Sequence, residues 1–158
     1  MPVPEFVAAL REHVGHDPLW LPGVSVVLLD GEGRLLLTRR ADNGLWAVVS
    51  GILEPGEDPG PAVLREIREE TGLEAELVRV ISVGAAGPVT YPNGDIASYL
   101  DVCFLARAVS GEARVADDEN LDVRWFSPDA LPPDMTSSST RRIATALRDD
   151  EHAWFARG

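Results

Sequence analysis

The stretch from Gly51 to Leu73, GILEPGEDPGPAVLREIREETGL, constrains this chain more than any other. Glycines and prolines crowd its first half, stop at Pro61, and return only at Gly72. Asp58 or Gly60 can cap a helix there, and Pro59 and Pro61 fit only its first turn, where a missing amide hydrogen costs nothing. Gly72 suits the position just past the end. At about 100° per residue, Val63, Leu64 and Ile67 share one side and must face a core. Glu66, Glu69 and Glu70 fall within an arc of roughly 100° on another side, so all three can point at one spot.

Local energetics oppose that placement. Glu66 forms like-charge pairs with Glu69 and Glu70 at i,i+3 and i,i+4 spacing, each costing roughly 0.2–0.5 kcal/mol. Glu69 and Glu70 also occupy the last turn, where the helix dipole disfavours an anion by roughly 0.3–1 kcal/mol. A solvated acidic face is the plain reading. Sequences that break their own local rules tend to do so at functional sites, however, and a divalent cation turns such repulsion into chelation.

The rest of the chain sets the frame for that helix. Its 158 residues, 45% hydrophobic and 25% charged, match one ordinary domain, 1–158, with a short N-terminal helical extension over 1–20. A formal charge of −12 works against a broad basic face for nucleic acid, which must neutralise backbone phosphates. The opening MPVPEFVAALREHVGHDP has no basic segment followed by an apolar run, and no stretch approaches the ~20 apolar residues of a membrane span, so a cytoplasmic protein without a membrane partner is expected. The single cysteine, Cys103, lies in the alternating run SYLDVCFLARA and reads as a buried strand thiol.

Element by element, the pattern predicts a helix over Phe6 to His13, a buried strand VSVVLLD, a GEG turn at Gly31 to Gly33 and a hairpin partner RLLLTRR. LWAVVSG is a third strand leading to the Gly/Pro-rich loop from Gly51 and its helix. AELVRVISVG follows as a strand, AAGPVTYPNGDI as a Gly/Pro-rich loop, ASYLDVCFLARAVSG as a long strand, DVRWF as a short one and STRRIATALRDD as a capped helix. Strands outnumber helices and hairpins alternate with crossing helices, which favours an α+β layered domain.

Gly51, Glu57, Arg65, Glu66, Ile67, Glu69, Glu70, Gly72 and Leu73 follow a known signature: Gly, five residues, Glu, seven residues, then Arg-Glu-aliphatic-x-Glu-Glu-x-Gly-aliphatic. In this the chain resembles the Nudix hydrolases. The resemblance implies a mixed β-sheet sandwich flanked by helices over Val24 to Leu147. It also implies Mg²⁺- or Mn²⁺-dependent cleavage of the phosphoric anhydride in a nucleoside diphosphate linked to another group. By similarity Glu66, Glu69 and Glu70 are metal ligands, with Glu66 or another nearby carboxylate as general base. Glu57 and Arg65 match an ion pair that holds the loop against the helix. Glu119, with Asp117 and Asp118 as rivals, matches a loop carboxylate that some members add. The chain departs from the common Leu-Pro-Gly-Gly before the box, having Val48, Val49, Ser50 and Gly51. The Ser50 carbonyl stands where a backbone metal ligand is expected, and serine would strain that turn if the position needs positive φ.

Substrate contacts are less sharply written. Tyr91 can stack on a base or ribose, or pack on the surface. Trp46 can flank a base or join the core. Arg39 and Arg40 can reach phosphate oxygens. Pro88 resembles a marker proline of ADP-ribose-cleaving members. His13, His16 and His152 show no mutual metal spacing and receive no role. A noncatalytic nucleotide-sensing module on the same fold is the alternative function, and apolar residues near both termini leave room for a homodimer.

Overall fold

The computed structural model describes residues 3–148 and 150–158. Its elements run α1 (Glu5–Val14), β1 (Leu19–Leu29), β2 (Leu35–Arg40), β3 (Trp46–Ala47), β4 (Val49–Ile52), α2 (Pro59–Thr71), β5 (Glu74–Thr90), β6 (Ile96–Ser110), β7 (Asn120–Phe126) and α3 (Ser137–Ala146). The spine is β1 paired in parallel with β6 from Leu19↔Ala97 to Leu29↔Arg107. On its other side β1 divides its edge. Leu29 meets Leu35 of β2, while Gly23 to Val26 pair antiparallel with β4. The remaining strands extend the mixed sheet, with β7 and β3 on β2 and β5 on β6.

Alternation along β1 decides which helix covers which face. Val24, Val26 and Leu28 join Ala62, Val63 and Ile67 of α2 in one buried cluster, with Phe104 and Ala106 of β6 beneath them. Val27 points the other way and packs with Leu35, Leu37, Trp46, Cys103 and Ile143, the last from α3. Both faces are therefore apolar, which is why VSVVLL reads as a continuous run instead of an alternation. Cys103 is a buried strand thiol, as its alternating context predicts.

Helix α3 spans Ser137–Ala146, short of the expected 139–150, of which residue 149 lies outside the described residues, and three further boundaries differ from the sequence reading. β1 begins at Leu19 and carries Pro22 within it, because β6 keeps pairing with it past the end of β4. LWAVVSG splits into β3 and β4, the first tied to the segment before α3 through Trp46 N–H to Asp134 O (2.9 Å) and Thr136 N–H to Trp46 O (2.9 Å). The supposed loop AAGPVTYPNGDI is mostly strand: β5 runs on to Thr90, with register shifts near Ala86/Val89, and only the turn at Tyr91–Asp95 is left outside it. Gly and Pro there mark bulges in a long hairpin arm.

Two fastenings complete the frame. Arg142 of α3 donates from Nε to Asp101 Oδ2 of β6 at 3.1 Å and brings Nη2 within 3.0 Å of it as an ion pair, and the same oxygen accepts from the Ser25 hydroxyl at 2.8 Å. Past α3, Trp154 adds a short parallel bridge to the outer strand β5, donating to Ile81 O at 2.8 Å and accepting from Val83 N–H at 3.0 Å. Removing one partner of a buried pair leaves an uncompensated charge, so Arg142→Met is expected to lower stability by about 3 kcal/mol in urea unfolding. Breaking the exposed Arg68–Glu74 pair, which water and salt screen, should leave the unfolding midpoint essentially unchanged in the same assay.

Candidate active site

Helix α2 starts at Pro59 after Asp58 and ends at Gly72, whose φ of 72° is the left-handed stop that glycine supplies. Val63 and Ile67 fix its rotation by packing on the sheet. That rotation drives Glu66 inward to 1% exposure and Glu70 to 6%. Glu66 lies under β4 so closely that a Cβ on Gly51 would sit 2.3 Å from its carboxyl carbon. The glycine at the head of the signature is needed for space, and the register Val24↔Gly51 holds it there.

The three carboxylates do not converge. Glu69 is 53% exposed and accepts from Arg65 Nη1 at 3.2 Å on the outer side of the helix. Arg65 Nη1 also donates to Glu66 Oε1 (2.9 Å), while Nε and Nη2 make a two-pronged contact with Glu57 Oε1 and Oε2, both at 2.9 Å. Glu57 Oε2 in turn accepts from Glu54 N–H at 3.0 Å. One guanidinium thus ties the loop to the helix and draws Glu69 outward at i,i+4 spacing.

The segment after β6 folds over the C-terminal end of α2. Arg114 N–H and Ala116 N–H donate to the otherwise orphan carbonyls of Thr71 (3.0 Å) and Glu70 (3.2 Å). This brings in a residue that the sequence reading passed over: Asn120 Nδ2 donates to Glu70 Oε2 at 3.2 Å and to Asp117 Oδ1 at 3.1 Å. Asn120 gave only a faint sequence signal, a polar residue opening a strand beside an acidic run. Glu119 is half-buried, its N–H bonded to Asp117 Oδ1 (3.2 Å) and its carbonyl accepting from Ala41 N–H (2.7 Å). Ser50 is half-buried on β4 opposite Ser25. No non-glycine residue among those described has positive φ, so serine strains nothing at that place.

The residues weighed for substrate separate clearly. Trp46 is 6% exposed and stands edge-on to Phe126 at 5.0 Å between ring centres, so it belongs to the core under α3 and not to an open base site. Arg39 donates to Gly44 O at 3.0 Å and closes its own turn. Arg40 is the better placed of the two. It sits across the ladder from Asn120, grips Asp42 with Nε (2.9 Å) and Nη2 (2.6 Å), and lies in electrostatic reach of Glu70 and Tyr91. Tyr91 is half-buried, its hydroxyl bonded to that of Tyr99. Pro88 lies within β5.

Burial pushes the Glu66 carboxyl up to about 7 against the pull of Arg65. Burial, then the charges of Glu66 and Asp117, push Glu70 up to about 8. Such hard-oxygen donors, costly to ionise alone, suit a hard divalent cation. As placed, no group of three His, Cys, Asp or Glu among the described residues stands close enough to share an ion, because Glu69 turns outward.

The NUDIX domain family matches residues 19–147. A MutT-like protein of Streptomyces ambofaciens is 33% identical over 130 residues, covering 82% of this chain and 79% of that protein. The NAD-capped RNA hydrolase NudC of Pseudomonas aeruginosa (strain LESB58) is 36% identical over 134 residues, covering 84% of this chain but 44% of its own length. Among solved structures, a MutT NUDIX hydrolase from Burkholderia pseudomallei has a TM-score of 0.64 at 28% identity, over 80% of this chain and 98% of that one. The chain belongs to the Nudix family and is a Nudix pyrophosphohydrolase, a hydrolase of acid anhydrides.

Two outcomes follow from this geometry. Gly51→Ala forces a methyl against the Glu66 carboxyl and is expected to cost about 1–3 kcal/mol in urea unfolding. Both buried carboxyls hold protons in the fold above their ordinary value of 4.5, so their contribution to stability is full at low pH and is lost as pH rises through about 7 and 8. In EDTA the Tm should therefore fall between about pH 5.5 and 8.5, and Glu70→Gln should shrink that fall.

Proposed function

We propose that this protein is a Mg²⁺- or Mn²⁺-dependent hydrolase of the phosphoric anhydride in a nucleoside diphosphate linked to another group, of nucleotide-sugar, ADP-ribose or NTP type. The observation that carries the reading is the pair of buried carboxylates, Glu66 and Glu70, one turn apart on a helix wedged under Gly51. Two adjacent buried anions are unfavourable unless a cation joins them.

In this reading Glu66 and Glu70 hold the cation, Glu69 completes the set by leaving Arg65, and the Ser50 carbonyl and Glu119 are the further oxygen donors. The cation supplies charge neutralisation at phosphate and a lowered pKa for water. Arg65 takes Glu66 Oε1, so Oε2 would be its oxygen on the cation, and another nearby carboxylate would take the proton as water attacks phosphorus and the anhydride P–O bond breaks. Glu57 does no chemistry; it keeps Arg65 aimed at Glu66. Arg40 releases Asp42 to take a phosphate oxygen, and Tyr91 lies beyond it for the nucleoside.

A charge of −12 leaves the phosphate contacts to the cation and Arg40, and fits a small cytoplasmic substrate better than a nucleic-acid backbone or membrane surface. Among the described residues no helix is long and apolar enough to cross a membrane. A homodimer belongs to the same reading. Incubation with nucleotide sugars, ADP-ribose and nucleoside triphosphates plus Mg²⁺, with products identified by mass, tests the proposal. Glu66→Gln and Glu70→Gln should each lower kcat by about 10² or more while the circular dichroism stays native, and near-full activity in either would overturn it.

A further inference from the structure

Helix α1 precedes the residues matched by the family, yet it is fastened into the fold. Its Val7 joins Leu21 and Ala97 in a third buried cluster, on which Ile52, Tyr91 and Tyr99 pack. Ile52 is the neighbour of Gly51 in the chain, so α1 reaches the edge of the site.

The stronger fastening is polar. Arg11, with 13% of its side chain exposed, donates from Nη1 to Gly15 O (3.0 Å) and Asp17 O (2.6 Å) and from Nη2 to Ile96 O (2.8 Å). Its buried Nε has no hydrogen-bond partner among the described residues and stands 3.6 Å from Asp95 Oδ2. The same carboxylate meets His16 Nδ1 at 2.7 Å and Asn93 Nδ2 at 3.0 Å. Asp95 O accepts from Tyr91 N–H at 2.9 Å, and Tyr91 O accepts from Gly94 N–H at 2.9 Å.

A hairpin turn containing Asn93-Gly94 closes without outside help. The half-buried guanidinium is therefore surplus to making the turn, and what it determines is where the turn sits relative to α1 and Ile52. Tyr91 begins that turn, bonds to Tyr99, and with it packs on the same cluster as Ile52 beside Gly51. The packed side chains of Ile52, Tyr99 and Tyr91 thus lead from the edge of the site to the turn that Arg11 holds through Ile96 O and Asp95.

We propose that Arg11 is a positioning residue for the substrate: by clamping the turn at Asp95 and Ile96 it holds Tyr91 and Tyr99 as a preformed wall for the nucleoside, making α1 part of the substrate site. This rests on reading the Glu66–Glu70 site as the place of anhydride cleavage. A wall set before binding lowers the ordering cost of the complex, so its loss acts on KM.

The test is steady-state kinetics of the full chain and its variants Arg11→Met and Asp95→Asn, with ADP-ribose, UDP-glucose and dGTP as probes and Mg²⁺ present. For whichever probe the wild type cleaves, Arg11→Met should raise KM about tenfold with kcat within about twofold. Arg11→Lys should recover only part, lacking the fork, and Arg11→Met should add little in a Tyr91→Ala background. If Arg11→Met does not fold, Asp95→Asn carries the same KM expectation. Lowered Tm with unchanged KM in folded variants overturns the proposal and leaves the hydrolase reading standing. A wild type inactive on every probe overturns that reading, and this one with it.

Discussion

The carboxylate of Glu66 pressed against the backbone at Gly51 is the contact on which the rest of the site depends. It exists because β4 pairs with β1 in a register that puts Gly51 opposite Val24, and because Val63 and Ile67 of α2 fill the space beside it. A side chain at residue 51 would lift the helix, and a helix turned by one residue would bury a different group. Desolvating a carboxyl costs several kcal/mol unless something answers its charge. Arg65 answers one oxygen, and its fork on Glu57 brings the loop along.

Charge is arranged in layers around that contact. Inside are Glu66 and Glu70 with Asn120 and Asp117; outside are Arg65, Glu57 and Glu69 in a network that water can screen. Arg40 stands apart on the sheet with Asp42 in its fork. In a chain with net charge −12, a few fixed cations set the direction from which an anionic group can approach.

Much of this was legible in the sequence for definite reasons. The ends of α2, its core side and the α+β layering follow from Pro59, Gly72 and the spacing of Val63 and Ile67, which are local rules that tertiary packing did not override, although Asp58 makes no side-chain capping bond. Less legible were contacts that helical phase and strand alternation do not encode. Glu69 was placed with its neighbours by helical phase alone, which says nothing of a guanidinium at i−4 drawing it outward. Trp46 reads equally as a stacking or a core ring until Phe126 is found against it. Asn120 and Arg11 act across 50 and 85 residues of chain, and no local pattern announces such bonds. The hairpin arm was hidden because Gly and Pro signal both loops and bulges.

The segment at Trp154 has a bearing on how these molecules behave in company. β5 is the outermost strand on its side of the sheet, a row of amides and carbonyls on which a stranger's strand can lodge. Here the chain's own tail fills the middle of that row at Ile81 and Val83, and four register shifts along the β5–β6 pairing bend it away from the straightness that fibrils demand. Mutual repulsion between strongly acidic copies acts in the same sense. Crowded solutions of this protein thus meet both a steric and an electrostatic barrier to sheet-to-sheet growth along that rim.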